Sequence, residues 1–232
     1  MEPRLPAPPT LKQARRQASE ASGGISPDAI YAAVFRALDE FRAQGPVLDF
    51  GAGTGNLTRK LLAQHPDVSA TDLMGRPDDL PVPWTIADLN EVVPLPDSSF
   101  ATIVAAEVIE HLENPRAMAR ELFRLLKPGG LAVISTPNNE SWRSLLSLAV
   151  RGQHIAFLDG SYPAHITALV RQDLTRILTE AGFIELTFRF TDHGGIPGKP
   201  TLRWQQISAG ALRGLRFSDN LLAIARKPGA CS

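Results

Sequence analysis

Cysteine is almost missing from this 232-residue chain, with Cys231 its single example, one residue from the end. No internal disulfide can form and no thiolate metal cluster is available, which suits a reducing compartment. Long apolar runs are missing too. No stretch approaches the roughly 20 apolar residues of a spanning helix. The first residues, with Glu2, Pro3, Arg4 and several further prolines, lack the apolar core of a signal peptide. Nor is there a surplus of one charge, since 24 Lys and Arg balance 24 Asp and Glu. Electrostatically driven nucleic-acid binders usually carry a basic excess. No nucleic-acid partner and no integral membrane segment are therefore expected, and a cytoplasmic enzyme is the default.

The length suits one domain with a proper core. Residues 1–25 are rich in Pro, Ala, Ser, Gly and Arg and offer little apolar surface to offset ordering entropy. They read as a flexible tail, with a short basic helix over 11–18 as the alternative. Residues 26–232 read as a single domain with insertions at about 138–170 and 191–216.

The pattern within that domain alternates. A helix is expected from Ser26, as N-cap, and Pro27, at the first helical position, with Ala29, Ile30, Ala33, Val34, Ala37, Leu38 and Phe41 on its apolar face. Gly45-Pro46 stops it. A first strand over 47–50 turns over glycines into a helix at 56–64. Strands at 68–71, 81–87 and 100–106 follow, the last being Ala-Thr-Ile-Val-Ala-Ala after Phe100, a fully buried type. Asn114 and Pro115 open a helix whose stripe is Met118, Leu122, Leu125 and Leu126, ended by Lys127-Pro128-Gly129-Gly130. A strand at 131–136, a helix at 172–181 and closing strands at 183–190 and 220–226 complete the chain. Such alternation implies an α/β, doubly wound, Rossmann-like sheet, mostly parallel, of seven strands with an antiparallel closing strand and helices on both faces.

The organising stretch is Asp49-Phe50-Gly51-Ala52-Gly53-Thr54-Gly55. Alternate glycines permit positive φ and close approach of a ligand to the main chain. They stand where open α/β sheets bind ligands, beyond the carboxyl end of the first strand. A dinucleotide fingerprint would need a third glycine at Asn56, which disfavours a nicotinamide-dependent oxidoreductase. Asp72 ends the second strand about 20 residues on, where doubly wound folds keep a ribose carboxylate. Leu73 and Met74 follow it, Asp88-Leu89 follows the third strand, and Glu107 closes the fourth.

D-x-G-x-G-x-G resembles the first motif of class I S-adenosylmethionine-dependent methyltransferases. The spans 95–100, 107–111 (Glu-Val-Ile-Glu-His) and 125–130 are in register with it. Over residues 47–183 the chain resembles the branch of that family containing ubiquinone-pathway O-methyltransferases and glycan- or natural-product-modifying relatives. The resemblance implies S-adenosylmethionine as methyl donor and a small-molecule, glycan or lipid-like acceptor, methylated at oxygen. It implies a donor site of Asp49, Gly51, Ala52, Gly53, Gly55, Asp72, Leu73, Met74, Asp88, Leu89 and Glu107. Asp72 would bind the ribose hydroxyls and Asp88 the adenine, while Met74 serves as adenine wall or plain packing. A non-catalytic donor-binding protein is the rival reading.

His111 is the first candidate base, since an imidazole titrates near neutrality; His165 and His154 are further candidates. The same branch carries a Glu-x-x-Glu-His pattern that can hold a divalent cation, here Glu107, Glu110 and His111, and a metal-free site is the favoured expectation. In the first insertion, Trp142, Leu145, Leu146 and Ala149 make a helix face. That face either covers an acceptor pocket, packs on the core or, flanked by Arg143 and Arg151, touches lipid. The second insertion has loop signals at Gly194-Gly195 and Pro197-Gly198, with Trp204 as an anchor. Oligomeric state is not legible.

Overall fold

A computed structural model of the chain describes residues 13, 15–17 and 24–230. The expectations for the rest of the tail and for Cys231 lie outside those residues. Helix α1 (Asp28–Glu40) leads to strand β1 (Val47–Phe50), the glycine turn and α2 (Asn56–Leu62). Strands β2 (Val68–Asp72), β3 (Trp84–Ile86) and β4 (Phe100–Ala106) follow, then α3 (Pro115–Leu125) and β5 (Leu126–Pro137). After α4 (Trp142–Arg151) and α5 (Arg171–Glu180) comes β6 (Ile184–Phe190). A small hairpin, β7 (Gly195–Ile196) with β8 (Lys199–Arg203), and a single turn α6 (Trp204–Ile207) precede β9 (Asn220–Arg226).

The main sheet has seven strands in the order β3-β2-β1-β4-β5-β9-β6. β1 pairs in parallel with β2 on one side and β4 on the other, while β9 runs antiparallel to both β5 and β6. Chain order reverses direction at β1, so the crevice beyond its carboxyl end, between β2 and β4, is the topological switch point. No described helix is long and apolar enough to cross a membrane.

Strand alternation sorts the core onto two faces. Leu48, Phe50, Ile103 and Ala105 meet Met118, Leu122, Leu174 and Ile177 from α3 and α5. Val47, Val104 and Val133 meet Ile30, Val34, Leu38, Leu57 and Leu61 from α1 and α2. Asn114 caps α3 as expected, its side chain accepting from the Ala117 N–H at 3.1 Å.

Several local expectations shift. Ser26 does not cap α1: its N–H donates to Tyr31 Oη, and Pro27, extended at ψ 146°, stands at the N-cap and supplies the carbonyl that Ile30 bonds. Strand β3 is shorter than expected because Pro81 and Pro83 have no N–H to add to a ladder. Leu126 belongs to β5, paired with Phe100, rather than to the stripe of α3. For α4, one of its three alternatives, packing of that face on the core, is excluded. Its buried side chains are Ser144 and Ser147, whereas Trp142 and Leu146 are 48% and 50% exposed. The serines turn inward because they bond the following loop: Ser144 Oγ meets His154 Nδ1 and Ser147 Oγ donates to Gln153 O. In the second insertion, Trp204 stacks edge-on against Phe217 at 5.4 Å and anchors the hairpin.

The glycine turn is sterically closed. Gly55 is the N-cap of α2 at φ 78°, and a Cβ there would lie 2.2 Å from Leu80 Cδ1. Gly129 shares the same φ, at 77°, but faces open space. Replacing Gly55 by Ala should therefore cost roughly 2–4 kcal/mol, backbone strain plus overpacking, against about 1–2 kcal/mol for Gly129→Ala. Urea unfolding of the two variants checks the difference; equal losses would mean that Leu80 simply moves aside.

Candidate active site

The switch-point crevice opens into a cavity of about 440 Å³, within the range of small-ligand sites. Its floor is the glycine turn. Gly51 and Ala52 both donate to Thr71 O, at 2.8 and 3.1 Å, which locks the turn onto the end of β2. Gly53 packs so closely on Gly24 that a Cβ would fall 2.6 Å from the Gly24 carbonyl oxygen. The Gly53 N–H also donates to Asp72 Oδ2 at 2.7 Å, while the Met74 N–H donates to Oδ1 at 2.8 Å. One carboxylate is thus held between two turns, and each oxygen keeps acceptor capacity toward the cavity.

Asp49, the residue before the last of β1, is fully enclosed, and Thr58 Oγ1 donates to its Oδ2 at 2.6 Å. Burial pushes its carboxyl up to about 7, against the Thr58 bond and with help from the charge of Asp72. Burial also raises Asp72, opposed by the Met74, Gly53 and Leu73 N–H groups. Asp88 behaves differently. Burial acts upward on it, but the Asn90 backbone and side chain and the Arg15 guanidinium outweigh that and hold it below the ordinary range.

β4 ends in strain. Glu107 has φ 55°, a left-handed value rare for a side chain of this size. Its carboxylate accepts from Ser135 Oγ and from Asn220 Nδ2, both at 2.8 Å, so β5 and β9 hold it in place. Burial raises its carboxyl above the usual range, opposed first by the Ser135 bond and then by those of Asn220 and Glu110. Glu110, beneath it, is raised well above the usual range by burial and by the Glu107 charge. Glu110 Oε2 accepts from Thr136 Oγ1, and its raised, neutral carboxyl donates a side-chain hydrogen bond to Glu107; Oε1 meets no N–H or O–H donor among the described residues.

Beside these acids stand two imidazoles. His111 Nδ1 lies 2.7 Å from Ala164 O and His165 Nδ1 lies 2.6 Å from Ala156 O. A carbonyl only accepts, so each Nδ1 carries the proton and each neutral ring presents Nε2 as a lone pair. Burial lowers both pKa values, against the pull of those carbonyls. The rings meet edge-on with centroids 4.9 Å apart. Ligand atoms of Glu110, His111 and His165 all lie within 4.8 Å of one another. This trio can hold a cation by its donor chemistry; Glu107, the third ligand suggested by the sequence pattern, is instead committed to Ser135 and Asn220.

A family model described as a methyltransferase domain matches residues 25–185. The chain belongs to that family. A probable S-adenosylmethionine-dependent methyltransferase of Mycobacterium tuberculosis is 28% identical over 61% of the chain, which spans 60% of that relative's length. A ubiquinone biosynthesis O-methyltransferase of Xanthomonas euvesicatoria is 27% identical over 78% of the chain and 76% of its own length. The fold is also that of a Burkholderia thailandensis 1,6-didemethyltoxoflavin N1-methyltransferase, solved with S-adenosylhomocysteine, at TM-score 0.61. That structure is 17% identical, with 97% of this chain and 93% of its own covered. The seven-stranded sheet is therefore the Rossmann-like sheet of class I methyltransferases.

Of the donor-site residues expected from the sequence, Asp49, Gly51, Ala52, Gly53, Asp72, Leu73, Met74, Asp88, Leu89 and Glu107 line the one cavity. Gly55 does not; it shapes the start of α2. His111 and His165 line the cavity and His154 does not, being turned to Ser144. Sequence reasoning missed Arg15, Tyr31, Glu113 and Tyr162 in the lining. Tyr162 lies in the insertion expected to cover an acceptor pocket, whereas Arg15 lies in the segment expected to be a solvated tail or a short basic helix, and residues 13 and 15–17 are helical.

The buried acids give a pH signature. Asp49 has a folded pKa of about 7, and Glu107 is raised in the same direction, against unfolded values of about 4. The folded state binds the extra protons, so this stabilisation is full below about pH 4 and is lost as pH rises through 7. The melting temperature of the ligand-free protein should fall between pH 5 and pH 8, and Asp49→Asn should flatten part of that fall. A profile unchanged by the substitution would place the titration elsewhere.

Proposed function

We propose that this chain transfers the methyl group of S-adenosylmethionine to a hydroxyl oxygen of a small-molecule, glycan or lipid-like acceptor. The observation that carries the oxygen assignment is the His111 ring, neutral, fixed as the Nδ1–H tautomer and facing the cavity beside His165. Such a ring can take a hydroxyl proton as the acceptor attacks. Arg15, on the Asp88 side, is the one Lys or Arg among the described lining residues, so nothing near the histidines favours an anionic acceptor. The O-methyltransferase among the relatives agrees with this reading, while the N-methyltransferase neighbour shares only the fold.

The donor, when bound, supplies an electrophilic methyl group on a positively charged sulfur. The chain's own residues bind and align it. Asp49, with one oxygen still available, accepts from the ammonium of the methionine end, close to the Gly51–Gly53 backbone. Asp72 uses the free lone pairs of both oxygens for the ribose hydroxyls. Leu73, Met74 and Leu89 enclose the adenine, and Asp88 accepts from its amine. Alignment and water exclusion are the protein's main contributions to a direct displacement.

Asp72→Ala should weaken S-adenosylhomocysteine binding by about 1.5–3 kcal/mol, the scale of hydrogen bonds to a charged group. Calorimetry reads this directly, and unchanged affinity would remove the ribose assignment. His111→Ala should lower kcat on a hydroxyl acceptor by about 100-fold or more with donor affinity retained.

A second reading is favoured by the convergence of Glu110, His111 and His165, whose ligand atoms lie within 4.8 Å of one another. A divalent cation held by these three would replace the Glu110 proton and polarise the acceptor. Activity lost on chelation and restored by added divalent metal would select it; activity indifferent to chelator would select the base.

A further inference from the structure

The adenine end of the cavity is closed by a residue outside the matched domain. Arg15 bonds both oxygens of Glu113, Nε to Oε1 at 2.9 Å and Nη2 to Oε2 at 3.0 Å. Its Nη1 is shared by Asp88 Oδ2 and Glu91 Oε1, each at 2.9 Å. Asp88 and Glu91 follow β3, whereas Glu113 precedes α3, so a single guanidinium spans two separate loops. Both loops border the cavity, through Asp88, Asn90 and Glu113. The side chains of Glu91 and Glu113 face solvent, at 67% and 44% exposure, while that of Arg15 is only 15% exposed. The cation therefore sits at the mouth with its charge turned inward to the acids.

We propose that Arg15 is a positioning residue of the donor site, a clamp that joins the Asp88 and Glu113 loops over the adenine end and sets the rate of donor and product exchange. This rests on the reading of Asp88 as the adenine acceptor. Three features support it. The planar fork matches one carboxylate in bidentate fashion and still reaches two more, a geometry that lysine cannot copy. Without it, Asp88, Glu91 and Glu113 would repel one another across the gap, which the Glu113 N–H to Asn90 Oδ1 bond at 2.9 Å also bridges. Finally, Asp88 Oδ1 already accepts from the Asn90 N–H and Nδ2, at 3.0 and 3.1 Å. Arg15 on Oδ2 thus completes the orientation of this carboxylate toward the cavity.

The clamp leaves the wall of the cavity intact but ties its mouth, so its effect falls on rates more than on the shape of the bound state. S-adenosylhomocysteine is the right probe, because its net charge is zero and salt then reports on the protein's ion pairs rather than on the ligand. Stopped-flow release of this product should accelerate with added sodium chloride in the wild type. In Arg15→Ala, release should be on the order of tenfold faster at low salt and nearly insensitive to salt. Arg15→Lys should fall between them, restoring charge without the fork. Wild-type release rate and salt dependence in Arg15→Ala would overturn the clamp while leaving the donor site standing. Slower association with unchanged release would make Arg15 a steering charge and would overturn it as well. A wild-type protein that binds no S-adenosylhomocysteine would remove the donor-site reading and the clamp together.

Discussion

The hydrogen bond from the Gly53 N–H to the Asp72 carboxylate is the contact on which the site depends. It joins the first turn of the sheet to the end of the second strand, and it exists only because the turn can bring a bare backbone amide within 2.7 Å of a buried acid. The left-handed φ values of Gly51, Gly53 and Gly55 produce that approach. Closely placed neighbours, Gly24 against Gly53 and Leu80 against Gly55, leave no room for side chains. The turn, the Asp72 carboxylate and the start of α2 form one connected unit.

Around this unit the sheet gathers carboxylates into a place where water is scarce. Asp49, Asp72 and Glu107 stand at the carboxyl ends of adjacent strands, and desolvation raises all three. Such crowding is costly in the empty protein and favourable toward a ligand that brings positive charge, which orders the site electrostatically before binding. The left-handed backbone at Glu107 fits the same logic, as local strain at the cavity wall held by bonds from two neighbouring strands.

The face of α4 and the position of Arg15 show where sequence periodicity fails. Helical spacing collected Trp142, Leu145, Leu146 and Ala149 on one side, but which side turns inward depends on what lies beneath. Here the loop at Gln153 and His154 lies beneath, and it prefers serine hydroxyls to hydrocarbon. His154, a chemically reasonable base, is drawn into that same contact and away from the cavity. Arg15 sits in a short basic stretch, Lys12-Gln13-Ala14-Arg15-Arg16-Gln17, with no apolar face to bury, and its three acidic partners lie 73 to 98 residues away. No local rule connects them.

The amino-acid sequence by itself determined the strand–helix alternation, the glycine turn, the acids at the carboxyl ends of β1, β2 and β4, and Asp88 after β3. Each rests on interactions within a few residues: hydrophobic period, turn conformation, and caps such as Asn114. Tertiary structure alone decided that Gly55 supports α2 instead of lining the cavity, and that His111 and His165 meet edge-on beside Glu110. It also decided that Arg15 bridges two loops. These outcomes depend on distances across the sheet, which side-chain type and order along the chain do not specify.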